Sequence, residues 1–233
     1  MWSGPRNLST AMMRSFGHRE DCTVVDEPLY AAYLAETGLD HPGRDDVIAS
    51  QSTDWREVCA ELTSGPVATA LQYQKHMTHH LLPGLDREAL TGLHHAFLVR
   101  DPERVLTSYA KVRDEPTLED LGLPQQVELF ERYGGPVVDA ADVLRDPRST
   151  LAALCAALGI DFDEAMLAWP PGSRDTDGVW ARHWYAGVEA SSGFAPYSPG
   201  SRDPLPDHLQ PLLERCRPYY EAVAAYRLLP EEN

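Results

Sequence analysis

Several features are scarce in this chain, and each scarcity excludes something. Basic residues are few: 20 Lys and Arg stand against 36 Asp and Glu, a formal balance of −16. Nothing in that balance offsets phosphate repulsion, which argues against general binding to nucleic acid or to an anionic membrane. No apolar run approaches the roughly 18 residues of a membrane span. No basic segment followed by an apolar stretch opens the chain, so no signal peptide is expected. Cysteine is limited to Cys22, Cys59, Cys155 and Cys216, with no C-x-x-C pair. Reduced, mostly buried thiols in a cytoplasmic protein are the expectation. There is no internal repeat and no low-complexity block. The triphosphate-binding loop G-x-x-x-x-G-K-[ST] is missing as well.

What is present is ordinary globular material. Of 233 residues, 43% are apolar and 24% charged, enough for one α/β domain spanning 1–233. Short apolar runs alternate with helical patterns, which predicts a parallel sheet covered by helices. Strands are predicted at 22–26, 66–73, 94–99 and 136–139. Helices are predicted at 9–17, 28–36, 54–62, 102–113, 124–133 and 148–158. A closing helix falls within 206–229, where Pro218 should kink it. Asp101 and Pro102 read as a helix cap and first helical position, and Gly159 as a helix stop. Loops near 114–124 and 170–207 are expected to act as lids or acceptor-pocket walls.

The opening stretch Ser3-Gly4-Pro5-Arg6-Asn7-Leu8-Ser9-Thr10 carries chemistry. A strand-to-helix turn presents unpaired N–H groups and the positive end of the helix dipole. Ser9 and Thr10 add hydroxyl donors, and Arg6 adds a planar cation suited to phosphate or sulfate. Leu8-Ser9-Thr10 stands where Gly-Lys-[ST] would be, which argues against a Walker-type ATPase or kinase. The plainer alternative makes Ser9 an N-cap and leaves Arg6 exposed. Arg100 ends a central strand, where open α/β sheets bind ligands. Ser108 follows about two helical turns later, so both could reach one phosphate.

Other groups cluster at predicted strand ends. Glu27, next to Asp26, could serve as a general base; either carboxylate could instead cap a helix at Pro28. Lys75 closes a strand, and His76 beside it is a competing base. His76, His79 and His80 could share a helix face and bind a metal, but no carboxylate or cysteine completes that set. His79 and His80 otherwise read as surface or acceptor-pocket residues, and His94 and His95 as structural. Trp180, Trp184, Tyr185, Phe194 and Tyr197 read as pocket lining or core.

Taken together, Pro5–Thr10 and the run Arg100-Asp-Pro-Glu-Arg-Val-Leu-Thr-Ser108-Tyr109 resemble the two cofactor motifs of sulfotransferases. Residues 138–166 resemble the stretch that follows the second motif in that family. Gly178-Val179-Trp180 resembles its late cofactor-covering loop. The opening is also similar to that of a bacterial branch beginning SGPRN-[LI]-STAMMRSF, whose members often carry an aminotransferase label in error.

The resemblance implies a P-loop-like, three-layer α/β fold with a central parallel sheet. It implies sulfuryl transfer from 3′-phosphoadenosine 5′-phosphosulfate (PAPS) to a hydroxyl or amine of a small molecule, without a metal. Arg6, Asn7, Leu8, Ser9 and Thr10 would hold the 5′-phosphosulfate, Arg100 and Ser108 the 3′-phosphate, and Trp180 would cover the nucleotide. Lys75 would neutralise the departing phosphate, and Glu27, or else His76, would take the acceptor proton. The sequence departs from the family at Arg6, where cytosolic members commonly have lysine. It departs again at Leu8 in place of a glycine and at Val179 in place of an aspartate. Arg174 and Arg182 fit the late loop only loosely. The alternatives are a kinase-like phosphoryl transferase and a non-catalytic nucleotide-binding protein. The loop follows only Met1, Trp2 and Ser3, which predicts a stunted first strand and leaves an upstream start codon open. The acceptor and the oligomeric state are not legible.

Overall fold

The computed structural model describes residues 1–111, 115–198 and 203–229. Strand β1 spans Trp2–Ser3, β2 Cys22–Asp26, β3 Leu71–Met77, β4 Phe97–Val99 and β5 Val137–Asp139. They form one parallel sheet in the order β2-β3-β1-β4-β5. The stunted first strand is therefore its centre: Ser3 pairs with Met77 on one side and Leu98 on the other. The chain lays down β2 and β3 on one side, then crosses β1 to build β4 and β5. Open α/β sheets bind ligands at the carboxyl ends of strands beside such a change of direction.

Helices cover both faces: α1 Ser9–Gly17, α2 Tyr30–Thr37, α3 Arg44–Ser50, α4 Trp55–Ser64, α5 Pro102–Tyr109 and α6 Leu118–Leu121. They continue as α7 Leu123–Tyr133, α8 Ala140–Arg145, α9 Pro147–Leu158, α10 Ala181–Trp184, α11 Ala186–Glu189 and α12 Gln210–Ala224. Alternate strand residues feed two cores. Tyr73, Leu98 and Val138 join Met12, Met13 and Leu154 in one. Trp2, Phe97, Val99 and Val137 join Leu129 and Val223 in the other. Burial on both faces is why these strands read as continuous apolar runs.

Several boundaries follow the expected chemistry. Asp101 caps α5 by accepting from Glu103 N at 2.9 Å, with Pro102 at the first helical position. Gly159 ends α9 in the left-handed region at φ 71°. Pro218 lies inside α12, which runs on to Ala224.

Other boundaries need correction. β3 begins at Leu71, not at 66, and continues through Lys75 to Met77. Before it, Thr69 uses its side chain where a ladder would run: Oγ1 accepts from Thr23 N at 3.0 Å and donates to Leu71 O at 2.6 Å. β4 is confined to 97–99, because His95 is drawn aside into bonds with Trp2 and Leu90. The expected loop near 114–124 contains the short helix α6, held by a Thr117–Asp120 capping box, and runs into the start of α7. Residues 112–114 and 199–202, parts of the expected helix and loops, lie outside the described residues, as do 230–233.

Candidate active site

The turn from β1 into α1 is built for close approach. A Cβ on Gly4 would stand 2.6 Å from the Leu121 carbonyl oxygen, so only glycine lets the loop pass α6. Arg6 then takes a left-handed backbone, φ 54°. Asn7 fixes the bend: its Nδ2 donates to Leu98 O at 3.0 Å, and its Oδ1 accepts from Leu8 N at 2.8 Å. Leu8, not Ser9, stands at the N-cap, and no side chain caps the helix. The first N–H groups of α1 are thus left for an anion.

The side chains of Arg6 and Arg100 converge here. Arg6 Nε donates to Ser108 Oγ at 3.1 Å, and Arg100 donates to the Arg6 carbonyl oxygen. Among the described residues, neither arginine forms an ion pair. Burial lowers the pKa of Arg100 from its ordinary value, and repulsion from Arg104 and Arg6 adds to the effect. A half-buried cation cluster without a counter-anion, in a chain of net charge −16, is a site that favours an anion.

The second centre lies at the ends of β2 and β3. Asp26 and Lys75 are register partners in the sheet. Lys75 Nζ donates to Asp26 Oδ1 at 2.9 Å, to Glu27 Oε1, and to the Tyr185 hydroxyl at 2.6 Å. Those three partners use all three N–H bonds of an ammonium. Tyr185 donates in turn to Asp26, 2.7 Å from Oδ2, and Gly178 N donates to the same oxygen at 3.1 Å. Burial opposes a charge on Lys75, but Asp26, Glu27 and Tyr185 outweigh it and raise its pKa well above 10.5. Glu27 moves upward too. Burial is the main cause, Lys75 opposes it, and the charge of Asp26 reinforces it. Neither carboxylate caps α2; both are drawn to Lys75. Glu27 also adopts φ 39°. Arg6 and Glu27 are the non-glycine residues with positive φ among the described residues, and such strain gathers at functional sites.

Both centres open into one cavity of about 740 Å³. Loop residues 5–11, Arg100 and Ser108 line it together with Glu27 and Lys75. Tyr30, residues 39–42, Met77, His79, His80, Tyr109 and parts of 184–195 also line it. Arg6, Asn7, Leu8, Ser9, Thr10, Glu27, Lys75, Arg100 and Ser108 are therefore brought together.

The structure separates two expected site residues from this group. The side chain of His76 projects from β3 opposite to that of Lys75. It stacks on Trp2 with ring centroids 4.1 Å apart, bonds Gln74 at 3.1 Å, and does not line the cavity. Burial lowers its pKa well below 6.5. Because it lies on a strand, it shares no helix face with His79 and His80. Trp180 is turned inward, 1% exposed, with its ring folded back over Gly178 and its Nε1 donating to Tyr185 at 3.2 Å. It packs behind Tyr185 and does not line the cavity.

Sequence reasoning missed that Asp26 and Tyr185 bind Lys75; Tyr185 was visible only as an aromatic of the pocket or core, whereas His80, read as a surface or acceptor-pocket residue, lines the cavity. No spacing joins residues 159 apart, as Tyr185 and Asp26 are.

Among the described residues, no helix is long and apolar enough to cross a membrane.

Comparison with known proteins accords with this geometry. The sequence matches the family model described as "Sulfotransferase domain" over residues 1–227. Two Arabidopsis thaliana proteins named branched-chain-amino-acid aminotransferase-like protein 2 and protein 1 are similar to it. They are 36% identical over 231 residues and 38% over 230. Each alignment covers 97% of this chain and 41% of the relative. The chain thus spans about two-fifths of the length of these relatives. A solved sulfotransferase domain from the curacin biosynthetic pathway aligns with TM-score 0.50 and 14% identity, covering 99% of this chain and 91% of that one. At that identity the likeness speaks for the fold, a central parallel sheet between helical layers. The family match spans nearly the whole chain and includes both the arginine-bearing loop and the Asp26–Lys75 centre, so the chain belongs to the sulfotransferase domain family.

Proposed function

We propose that this protein transfers a sulfuryl group from PAPS to a hydroxyl or amine of a small-molecule acceptor, by in-line displacement. One observation carries the proposal. Arg6 and Ser108, from two motifs 102 residues apart, are hydrogen-bonded on the wall of the same cavity that Glu27 and Lys75 line. An anion cradle next to a carboxylate–ammonium pair is what group transfer from an anionic donor requires.

PAPS, when bound, supplies the activated sulfuryl group. The N-terminus of α1, Arg6, Ser9 and Thr10 would hold its 5′-phosphosulfate. Arg100 and Ser108 would hold its 3′-phosphate. Glu27 is the base. Its pKa is raised, chiefly by burial, which makes the carboxylate a stronger base toward the acceptor's proton. Proton uptake also removes the negative charge that Glu27 presents to Lys75. One N–H of Lys75 is then released to meet charge developing on the leaving phosphate. Asp26 and Tyr185 keep the ammonium in place meanwhile. No step calls for a metal. The four free, buried cysteines suit a reducing compartment such as the cytoplasm.

Calorimetry with 3′,5′-ADP tests the reading directly. Saturable binding, not displaced by ATP, is expected. A flat titration removes the proposal, and preferential binding of ATP would favour a kinase-like phosphoryl transferase. Transfer of labelled sulfate across alcohols, phenols and amines then identifies the acceptor class.

A further inference from the structure

We infer that His80 holds the acceptor's oxygen against Glu27 and thereby makes the site select hydroxyl over amine acceptors. The inference rests on the sulfuryl-transfer reading above.

His80 ends the short turn Thr78–His80 that follows β3. It is 3% exposed, yet it lines the cavity. Its ring is clamped: it stacks on Tyr30 with centroids 4.6 Å apart and planes 10° apart, and Tyr33 packs on it at 4.8 Å. So held, its Nε2 stands 3.9 Å from Glu27 Oε2. That is too long for a hydrogen bond. It is short enough for a single oxygen to reach both atoms at about 2.8 Å, the usual hydrogen-bond distance. Glu27's other oxygen is already taken by Lys75.

The proton on the ring can be assigned. Nδ1 is buried and has no hydrogen-bond partner among the described residues, so a proton there would be an orphaned donor. Nε2 faces a carboxylate, so the proton belongs on Nε2. Burial, with His79, His41, Lys75 and His76 around it, keeps the imidazole neutral. His80 therefore offers one donor and nothing else to whatever sits beside Glu27.

That arrangement suits a hydroxyl. Its O–H donates to Glu27 Oε2, one lone pair accepts from His80 Nε2–H, and the second lone pair is left to attack sulfur. The acceptor O–S bond forms, the bridging S–O bond breaks, and the proton passes to Glu27. The electron pair leaves with the phosphate of 3′,5′-ADP. A neutral amine has only one lone pair. If that pair accepts from His80 it cannot attack, and if it attacks, the buried N–H of His80 loses its partner. Neither Glu27 nor Lys75 creates this preference alone.

Two independent measurements test the inference. Nitrogen-15 NMR of histidine-labelled apo protein should report His80 as the neutral Nε2–H tautomer. A proton on Nδ1 would overturn it, whether or not any acceptor has been found. Competing pairs, phenol against aniline and hexanol against hexylamine, should then give O-sulfated product over N-sulfated product by ~100-fold or more. His80→Phe should shrink that ratio at least about tenfold and lower alcohol turnover, with 3′,5′-ADP affinity unchanged. His80→Gln, which retains an N–H, should recover part of the preference. Comparable O- and N-transfer by the unmodified protein, or a ratio indifferent to His80→Phe, would overturn the inference. If the variant does not fold, the tautomer and the unmodified protein's ratio decide. A flat 3′,5′-ADP titration would instead strike at the sulfotransferase reading itself, so the two failures are distinguishable.

Discussion

The Tyr185 hydroxyl lies 2.7 Å from Asp26 Oδ2 and 2.6 Å from Lys75 Nζ, joining a late helix-bearing loop to two strand ends. Trp180 Nε1 donates to the Tyr185 hydroxyl oxygen at 3.2 Å. Lys75 thus has its direction set by a residue 110 positions away. A lysine side chain has four rotatable bonds, and only fixed partners hold its ammonium in one place.

Tyr185→Phe keeps the ring and removes the hydroxyl. Hydrogen bonds to charged groups are worth about 1.5–3 kcal/mol, so kcat should fall about 10- to 100-fold. Affinity for 3′,5′-ADP, measured by calorimetry, should change little, because the anion cradle is built from other residues. A loss of nucleotide binding equal to the loss of turnover would count against a role in aligning Lys75.

Arg100→Ala tests the cradle. The guanidinium is half-buried, is repelled by Arg104 and Arg6, and has no ion pair among the described residues. Its removal should weaken 3′,5′-ADP about 10- to 100-fold, the usual scale for a lost charge-assisted contact. Stability should shift by less than ~1 kcal/mol, because relief of the buried charge offsets the lost bond to Arg6 O. Unchanged nucleotide affinity in calorimetry would show that the cradle is misassigned.

The cradle was legible because its parts are local. The run Pro5–Thr10 and the spacing from Arg100 to Ser108 each lie within a few turns of chain, and their chemistry is evident from residue type. Glu27 and Lys75 were legible as charges at strand ends. Their partners were not. Asp26 looked like a helix cap, and only the register of β2 on β3 sets it opposite Lys75. The same pairing explains the misplaced end of β3. Sequence pattern disfavours Lys75 as a strand residue, but Asp26 and Glu27 neutralise the lysine and the strand runs past it to Met77. The burial of Trp180 was not legible either: Gly178 leaves room for the indole ring folded back on it, a contact that the Gly-x-Trp pattern alone does not show.

Asp177→Ala should be strongly destabilising. Arg14 of α1 and Asp177 form a bidentate pair whose side chains are 3% and 4% exposed. Asp177 also accepts from Arg174 N at 2.8 Å, so the pair pins the loop that leads to Tyr185. Stranding a buried arginine costs about 3–5 kcal/mol, readable as a lower midpoint in urea. The double change Arg14→Met with Asp177→Leu should recover much of that loss, since no unpaired charge remains. Full destabilisation in the double variant would mean that packing, not charge, governs the site.

Glu27 links activity to stability through pH. Its carboxyl is raised above the usual 4.5 in the folded protein, chiefly by burial. As a base it works only when ionised, so kcat/KM should rise with pH through that raised value, and Glu27→Gln should lose this limb with about 10²–10⁴ of the rate. For stability the sign runs the other way. Between 4.5 and the raised value the folded state holds a proton that the unfolded chain has lost, so stability falls as pH rises across that window. Lys75 adds no slope there, because its stabilising charge is complete at every pH below 10.5. Glu27→Gln cannot ionise. Relative to the unmodified protein it should therefore gain stability from acid toward neutral pH, by about 1.4 kcal/mol for each unit by which Glu27 is raised. Urea unfolding of both proteins at matched pH measures the difference. A gap that does not change with pH would place the Glu27 pKa at its ordinary value and remove the ground for its role as base.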